Sequence, residues 1–310
     1  MRKKVALVLT LTLMLSLFPP QAFAQEGAMG PPGLVQVEEI LYGKAQEGAL
    51  IPRLERVERD VLGQPQREGA VLVRLQRMVD LLTGARGEVS LKLKLNAIEW
   101  ALSQKINEGP AISRRLEQME MAVYGQAQSG AGLAERLDNL TELMWPGGRI
   151  YVDKAVLPAG TLVRIELLTE LDSERNKAGD VVRYRVVDDV VIDQKVVIPA
   201  GALGSGEIIS VNSAGRLGQD GLVQVDFGTV SAMDGTPVAL HVAERATEQN
   251  KSLELAAGAS LAGVVLLGPV GLAAGYFVRG KPHVVPVGTS FYAEVAREAT
   301  VNALSLIPVR

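Results

Sequence analysis

The chain has no cysteine and only two histidines, His241 and His283, among its 310 residues. The first absence excludes disulfides, thiolate metal sites and a cysteine nucleophile. The second thins the options for metal or acid–base chemistry. A formal charge of −3 gives no electrostatic footprint for DNA or RNA, so no nucleic-acid partner is expected. Also missing are a phosphate-binding G-x-x-x-x-G-K-[ST], an H-E-x-x-H, a helix-opening G-x-G-x-x-G and an EF-hand loop. Asp188, Asp189 and Asp193 cluster near a turn and read as solvated acids before they read as a cation site. The expectation is a chain with no catalytic residue, no metal and no cofactor.

Present instead is a repeated apolar pattern. A quartet at offsets i, i+4, i+7, i+11 recurs about every 20–21 residues, a period that marks stacked supersecondary units. It reads Leu50/Leu54/Val57/Val61, Val71/Leu75/Met78/Leu82, Leu91/Leu95/Ile98/Leu102, Ile112/Leu116/Met119/Val123 and Leu133/Leu137/Leu140/Met144, after a truncated Leu34/Val37/Leu41. Steps of four and three place each quartet on one helical face. Gly43, Gly63, Gly84 and Gly125 follow as helix stops. Val89, Leu91, Leu93 and Leu95 alternate like a strand, but their register in the repeat favours helix. Short helices with so narrow a stripe are marginal alone and must stack on each other or on a partner. Leu54, Leu75, Leu95, Leu116 and Leu137 are therefore the expected helix-packing or partner-interface residues. A closed bundle and an extended array both fit. Arg53, Arg74, Lys94, Arg115 and Arg136 recur beside the second apolar position and read as intrahelical ion-pair partners, Arg53 with Glu58 for example.

Residues 1–24 have the form of a signal peptide: Arg2, Lys3 and Lys4, an apolar run from Val5 to Phe18, then Ala22-Phe23-Ala24. The protein is thus expected to be exported to the periplasm or cell envelope. Residues 25–32 read as a flexible start, 33–145 as helical repeats and 146–156 as a linker.

Beyond Trp145-Pro146-Gly147-Gly148 the period changes to two, as in Val163/Ile165/Leu167 and Val223/Val225/Phe227. Strands at this spacing without intervening helices indicate an antiparallel barrel or sandwich over 157–310. The expected fold class is α+β with segregated halves: a helical-repeat array, then a small antiparallel β-barrel carrying a Gly-rich helical hairpin. Pro158-Ala159-Gly160-Thr161, Pro199-Ala200-Gly201-Ala202 and Pro286-Val287-Gly288-Thr289 are turn devices, read as type I turns with proline at the first corner. Gly204-Ser205-Gly206 reads as a bulge or bend and not a nucleophile turn.

With these turns come Leu171-Asp172-Ser173, Ala178-Gly179-Asp180, Val196-Val197-Ile198, Gly218-Gln219 and Asp234-Gly235-Thr236-Pro237. In that order, over about residues 157–245, the chain resembles the β-barrel domain of conjugation and type IV secretion outer-channel subunits, the TrbI-like family. The resemblance implies a periplasmic barrel that assembles into a ring, with a helical hairpin reaching the outer membrane. That family usually carries an inner-membrane anchor and a Pro-rich linker, where this chain has a signal-like start and helical repeats.

Leu255 to Val278 is uncharged and rich in small residues. As one helix it would be about 36 Å long, enough for a ~30 Å hydrocarbon core. Gly268-Pro269 interrupts it near the middle. A hairpin touching a membrane, a kinked single span and a hairpin packed on the protein itself all fit, and the hairpin is the expectation. Gly263, Gly268, Pro269, Gly271 and Gly275 are its expected membrane or oligomer contacts. Taken together, the residues suggest a non-enzymatic exported envelope scaffold or adaptor, binding envelope proteins or its own copies as a homo-oligomer. A secretion or conjugation channel subunit, a cell-wall polysaccharide-binding module and an envelope hydrolase are the alternatives.

Overall fold

The computed structural model describes residues 30–84, 89–128, 130–214, 221–257, 264–266 and 284–306. Six helices open it: α1 Pro32–Tyr42, α2 Leu50–Leu62, α3 Val71–Thr83, α4 Leu91–Ser103, α5 Ile112–Tyr124 and α6 Leu133–Met144. Five begin on the first residue of a quartet, and α1 carries the truncated copy. Gly43, Gly63, Gly84 and Gly125 adopt the left-handed conformation just past α1, α2, α3 and α5. Each returns its N–H to a carbonyl of the last turn, a position that favours glycine. Helix α4 is stopped by Gln104 in the same conformation and is opened by Ser90, whose Oγ accepts the Leu93 N–H at 3.0 Å.

The quartets of all six helices share one core, with Leu54, Val57, Met78, Leu95, Leu116 and Leu137 fully or nearly fully buried. Helices four units apart meet, α1 with α5 and α2 with α6, as do α1 with α3 and α4 with α6. The array therefore wraps onto a common interior and forms a bundle, not a linear stack. Where α2 ends against the start of α6 the backbones touch. A Cβ on Gly132 would lie 2.3 Å from the Gly63 nitrogen.

The second half contains β1 Val152–Leu157, β2 Leu162–Leu167, β3 Leu171–Asp172, β4 Val181–Val186, β5 Val190–Ile192, β6 Lys195–Ile198, β7 Leu203–Asn212, β8 Leu222–Ser231 and β9 Pro237–His241. After these come α7 Glu244–Ala257, β10 Val264–Leu266, β11 Val284–Val285, β12 Ser290–Val295 and β13 Ala299–Ser305. Strands β8-β7-β4-β2-β12-β9 pair antiparallel in that order, and β9 returns to β8, closing a six-stranded barrel. A four-stranded sheet, β1-β13-β6-β5, lies beside it. The barrel interior is filled with side chains, as expected at this strand number. Tyr184 packs edge-to-face on Phe227 and Phe227 packs tilted on Phe291, with centroids 5.6 and 5.1 Å apart, and the Tyr184 hydroxyl donates to the Phe227 carbonyl at 2.7 Å.

Glycine makes room for this interior. A Cβ on Gly204 would fall 2.1 Å from the Tyr184 ring. The β7–β8 register shifts between Ser205 and Glu207, so Gly204-Ser205-Gly206 sits at a bulge. The three proline turns differ from expectation in type. Proline occupies the position before the first corner, and Gly160, Gly201 and Gly288 take φ of 75°, 84° and 88° at the second corner. A positive φ there defines a type II turn. Each turn also clamps a neighbouring strand end by two bonds. Gly160, Gly201 and Gly288 donate to Val295, Val186 and Leu167 at 2.8 Å. The same three strand residues return their N–H groups to Thr161, Ala202 and Thr289 at 2.9 Å.

Most of the expected Gly-rich hairpin, including Gly263, Gly268, Pro269, Gly271 and Gly275, lies outside the described residues. So do the signal-like residues 1–24. In the part that is described, residues 255–257 close α7 and Val264–Leu266 is not helical: it is a strand pairing parallel with β8. Parallel addition there extends the barrel wall, because β9 covers only the far end of β8.

Substituting Gly132→Ala should lower bundle stability by about 1–3 kcal/mol, the usual cost of overpacking. Thermal unfolding followed by circular dichroism measures this, and an unchanged midpoint would refute the backbone contact between α2 and α6.

Candidate functional site

The recurrent arginines do not pair within their own helices. Arg53 grips Glu38 of the preceding helix, with Nε–Oε1 at 2.9 Å and Nη2–Oε2 at 2.6 Å. Arg74 holds Glu58 and Arg136 holds Glu120 in the same bidentate way, at 2.6–2.8 Å. Arg115 holds Glu99, and its guanidinium also reaches Asn96 Oδ1 at 2.8 Å. Each carboxylate takes one further bond, from a backbone N–H in the loop that follows. The donors are Gln46, Gln66, Asn107 and Gln128, at 2.9–3.0 Å. One acid thus ties its own helix, the next loop and the next helix together. The expected Arg53–Glu58 pair is replaced because Glu58 belongs to Arg74, one unit further on.

These latches are buried: Glu58 and Glu120 have no exposure and Glu38 has 1%. Burial would raise the pKa of Glu38, but the bonds from Arg53 and the Gln46 N–H outweigh it and hold the carboxyl below its ordinary value. Hydrogen bonding to their acids raises Arg53, Arg74 and Arg136. The signal was present in sequence as Glu38, Glu58, Glu99 and Glu120 at one repeat position. A search for intrahelical partners passes over it.

The exceptions define the architecture. Helix α3 carries Val79 in the glutamate position. Helix α4 carries Lys94 in the arginine position, and Lys94 pairs instead with Asp138 at 2.5 Å. At the ends, Gly33 stands where the arginine would be and Thr141 where the glutamate would be. The bundle is therefore two equivalent three-helix halves, α1–α3 and α4–α6, each joined by two latches.

Helix α4 alone has two apolar faces. Leu91, Leu95 and Ile98 enter the bundle core, while Leu93 and Ala97 pack with Val196, Met233 and Leu304 of the β half. That second face explains the strand-like alternation from Val89. Polar bonds frame the contact. Asn96 Nδ2 donates to the Met233 carbonyl at 2.9 Å, and the Trp100 indole donates to Asp189 at 2.9 Å. In the loop after α4, Ile106 N–H donates to the Ala200 carbonyl at 2.8 Å, and Glu108 accepts the Leu203 N–H at 2.9 Å. Gly201 is obligatory here, since a Cβ would lie 1.9 Å from the Ile106 oxygen.

The residues singled out from sequence are thereby placed. Leu54, Leu75, Leu95, Leu116 and Leu137 face the bundle interior, buried to 5% exposure or less. Asp189 belongs to the joint, binding Trp100 and the Ala200 N–H, while Asp188 lies 3.4 Å from Arg164 at the surface. Asp193 sits in a turn at φ 47°. Among the described residues no group of His, Asp or Glu is arranged to hold a metal ion. His241 lies opposite Glu294 in the β9–β12 register, but Glu294 accepts the Ala246 N–H at 2.7 Å and His241 Nδ1 has no partner among the described residues. Asn250 is buried and binds both backbone groups of Tyr292, at 2.6 and 3.0 Å, so α7 seals the edge of β12 that β9 leaves open. A shallow depression of about 130 Å³ lies over the last latch, lined by Glu120, Tyr124, Gln128, Arg136 and Asn139. Among the described residues no helix is long and apolar enough to cross a membrane.

No family model matches the chain, and no curated protein does. Among solved structures it is similar to ComB10 of the Com type IV secretion system of Helicobacter pylori, at 15% identity. That match covers 46% of this chain and 88% of ComB10, with a TM-score of 0.28. The likeness is distant and partial.

Two tests address the latches. Glu58→Ala should cost about 3–5 kcal/mol, because it leaves the Arg74 charge buried without its partner, whereas Glu58→Met with Arg74→Met should cost much less. Chemical denaturation of the three proteins decides between this and a surface-like pair, for which both would be near neutral. The depressed pKa of Glu38 sets the second. Its contribution is full above the ordinary value of 4.5 and is lost as pH falls through the lower folded value. The melting-temperature gap between the parent and Glu38→Gln should accordingly be constant near neutrality and close below about pH 4.5.

Proposed function

We propose that this chain is a non-enzymatic, exported building block of a cell-envelope assembly, acting as a scaffold or adaptor. One observation carries the reading: the buried charges of the bundle serve as joints between structural elements. Glu38, Glu58, Glu99 and Glu120 each bind the next helix and the intervening loop. Asp189 and Glu108 bind the bundle to the β half. Acids held in this way by arginine and backbone N–H groups are poorly placed to act as acid, base or nucleophile.

A subunit of a secretion or conjugation channel is the more specific form of this reading. It is favoured by the closed antiparallel barrel, which occupies the residues that carry the resemblance to outer-channel subunits. The Gly-rich segment that follows α7 would supply contact with a membrane or with sister copies. The helical halves, absent from the usual plan of that family, would then act as an adaptor clamped to the barrel through α4.

Fractionation of cells producing the full chain tests the proposal. The protein should appear in the envelope fraction, and deletion of residues 267–278, which spares α7 and β10, should release it to the soluble periplasm. Ring-shaped particles in detergent extracts would support the channel reading. Recovery of the intact chain from the cytoplasm, signal-like segment uncleaved, would overturn it.

A further inference from the structure

The four latches are alike in their buried parts and differ in what lies over them. Above the first, the Tyr42 hydroxyl donates to Asp60 Oδ2 at 2.6 Å. Arg56 stands on the same face of α2, one turn before Asp60. The second and third latches carry Leu62 and Ser103 in the place of the tyrosine. The last carries a tyrosine again: Tyr124 follows Glu120 at the spacing by which Tyr42 follows Glu38. Counted from the starts of α2 and α6, however, Asn139 stands where Arg56 stands and Leu143 where Asp60 stands. The first change shortens the side chain over the latch. The second removes the acceptor that the tyrosine hydroxyl uses in the first unit.

The result is the depression of about 130 Å³ lined by Glu120, Tyr124, Gln128, Arg136 and Asn139. Its floor carries no net charge, because Arg136 and Glu120 hold each other. The amides of Asn139 and Gln128 each bring a carbonyl oxygen and an NH₂ group to it. The rim is apolar and wet: Tyr124 is 39% exposed, Met121 53% and Leu143 61%. Met121 lies one turn before Tyr124 and Leu143 one turn after Asn139, so each is a surface neighbour of a lining residue. Pockets that enclose a free ligand measure about 300–1,000 Å³. This one therefore suits a single group of something larger.

We infer that the surface over the last latch is a glycan-binding site, which takes one N-acetylhexosamine unit of an envelope polymer. Sugar hydroxyls and the acetamido group both donate and accept hydrogen bonds, as amide side chains do, so Asn139 and Gln128 match them without a charge. An aromatic ring covers the C–H face of a pyranose, and Tyr124 stands beside those amides. Leu143 gives the acetamido methyl an apolar seat. A charged side chain of a protein partner would find no counter-charge in this floor, which favours the neutral polymer. The inference takes the exported location from the reading above and adds a ligand to it. The helical half then has an attachment of its own, apart from any contact made by the β half.

The test uses the full chain without its signal-like segment and the β-1,4-linked tetramer of N-acetylglucosamine. Saturation-transfer difference NMR should show the acetamido methyl in contact, with a Kd of about 1 mM, the strength of a few neutral hydrogen bonds. Maltotetraose, which lacks the acetamido group, should bind about tenfold more weakly. Tyr124→Ala and Asn139→Ala should each weaken binding about five- to tenfold. Asn139→Arg with Leu143→Asp rebuilds the closed arrangement of the first latch, so this double variant should melt as a folded protein and lose the sugar. Co-sedimentation with purified wall glycan and with lipopolysaccharide identifies the polymer that supplies the unit. Retention by either one, abolished in the double variant, supports the site, and retention by neither overturns it. A sugar response that the double variant leaves intact would overturn it as well and leave the assembly reading standing. A silent sugar titration, with a double variant that loosens self-association in sedimentation velocity, would overturn it in favour of a protein contact.

Discussion

The bundle depends on a buried carboxylate that is fully occupied. A glutamate without exposure to water is costly to bury unless its charge is met and its lone pairs are filled. Here an arginine fork meets the charge, and a loop N–H takes a further lone pair. The three groups come from consecutive parts of the chain, so the interaction does more than stabilise. It fixes which helix follows which, and it sets the path of the intervening loop. A leucine stripe alone would let short, similar helices slide or exchange places, because apolar contact has no direction. The latch removes that freedom at four of the five helix junctions.

The fifth junction, between α3 and α4, is where the bundle changes character. Val79 and Lys94 replace the latch residues, and the helix that begins there serves two cores. Leu93 and Ala97 are apolar at positions that face solvent in an ordinary unit. Asn96 connects the two sides: its side chain accepts from Arg115 in the bundle and donates to Met233 in the β half. A packing joint of this kind, framed by Trp100, Ile106 and Glu108, holds the helical half on the barrel over a defined surface and not through a tether alone.

The barrel solves a different problem by the same economy of reuse. Six strands leave an interior that side chains can fill, and Tyr184, Phe227 and Phe291 fill its centre. Strand ends are closed by one turn design used three times, which requires glycine at a positive φ. Where β9 is too short to cover β12, Asn250 presents an amide that binds a strand residue as another strand would. The bundle thus consists of a repeated unit with a few positions altered, and the barrel reuses one turn; in the bundle the altered positions carry the contacts with the β half.

Legibility followed range. The apolar quartets, the glycine stops and the period-two strands could be read from sequence because each depends on neighbours within one or two turns of chain. The bulge at Gly204-Ser205-Gly206 could be read for the same reason, as could the antiparallel class of the β half. Turn type was missed because proline is compatible with either position of the turn, and only φ at Gly160, Gly201 and Gly288 separates them. Arginine partners were missed because a glutamate five residues away and one in the previous helix are equally available on paper. The sequence by itself determined which faces are apolar and where elements stop, since backbone sterics and periodicity are local. The tertiary structure alone decided that the array closes on itself, that Glu38 and not Glu58 takes Arg53, and that α4 bears the barrel. Each of those choices depends on how distant segments are brought together, and burial then admits only the arrangement in which every charge is met.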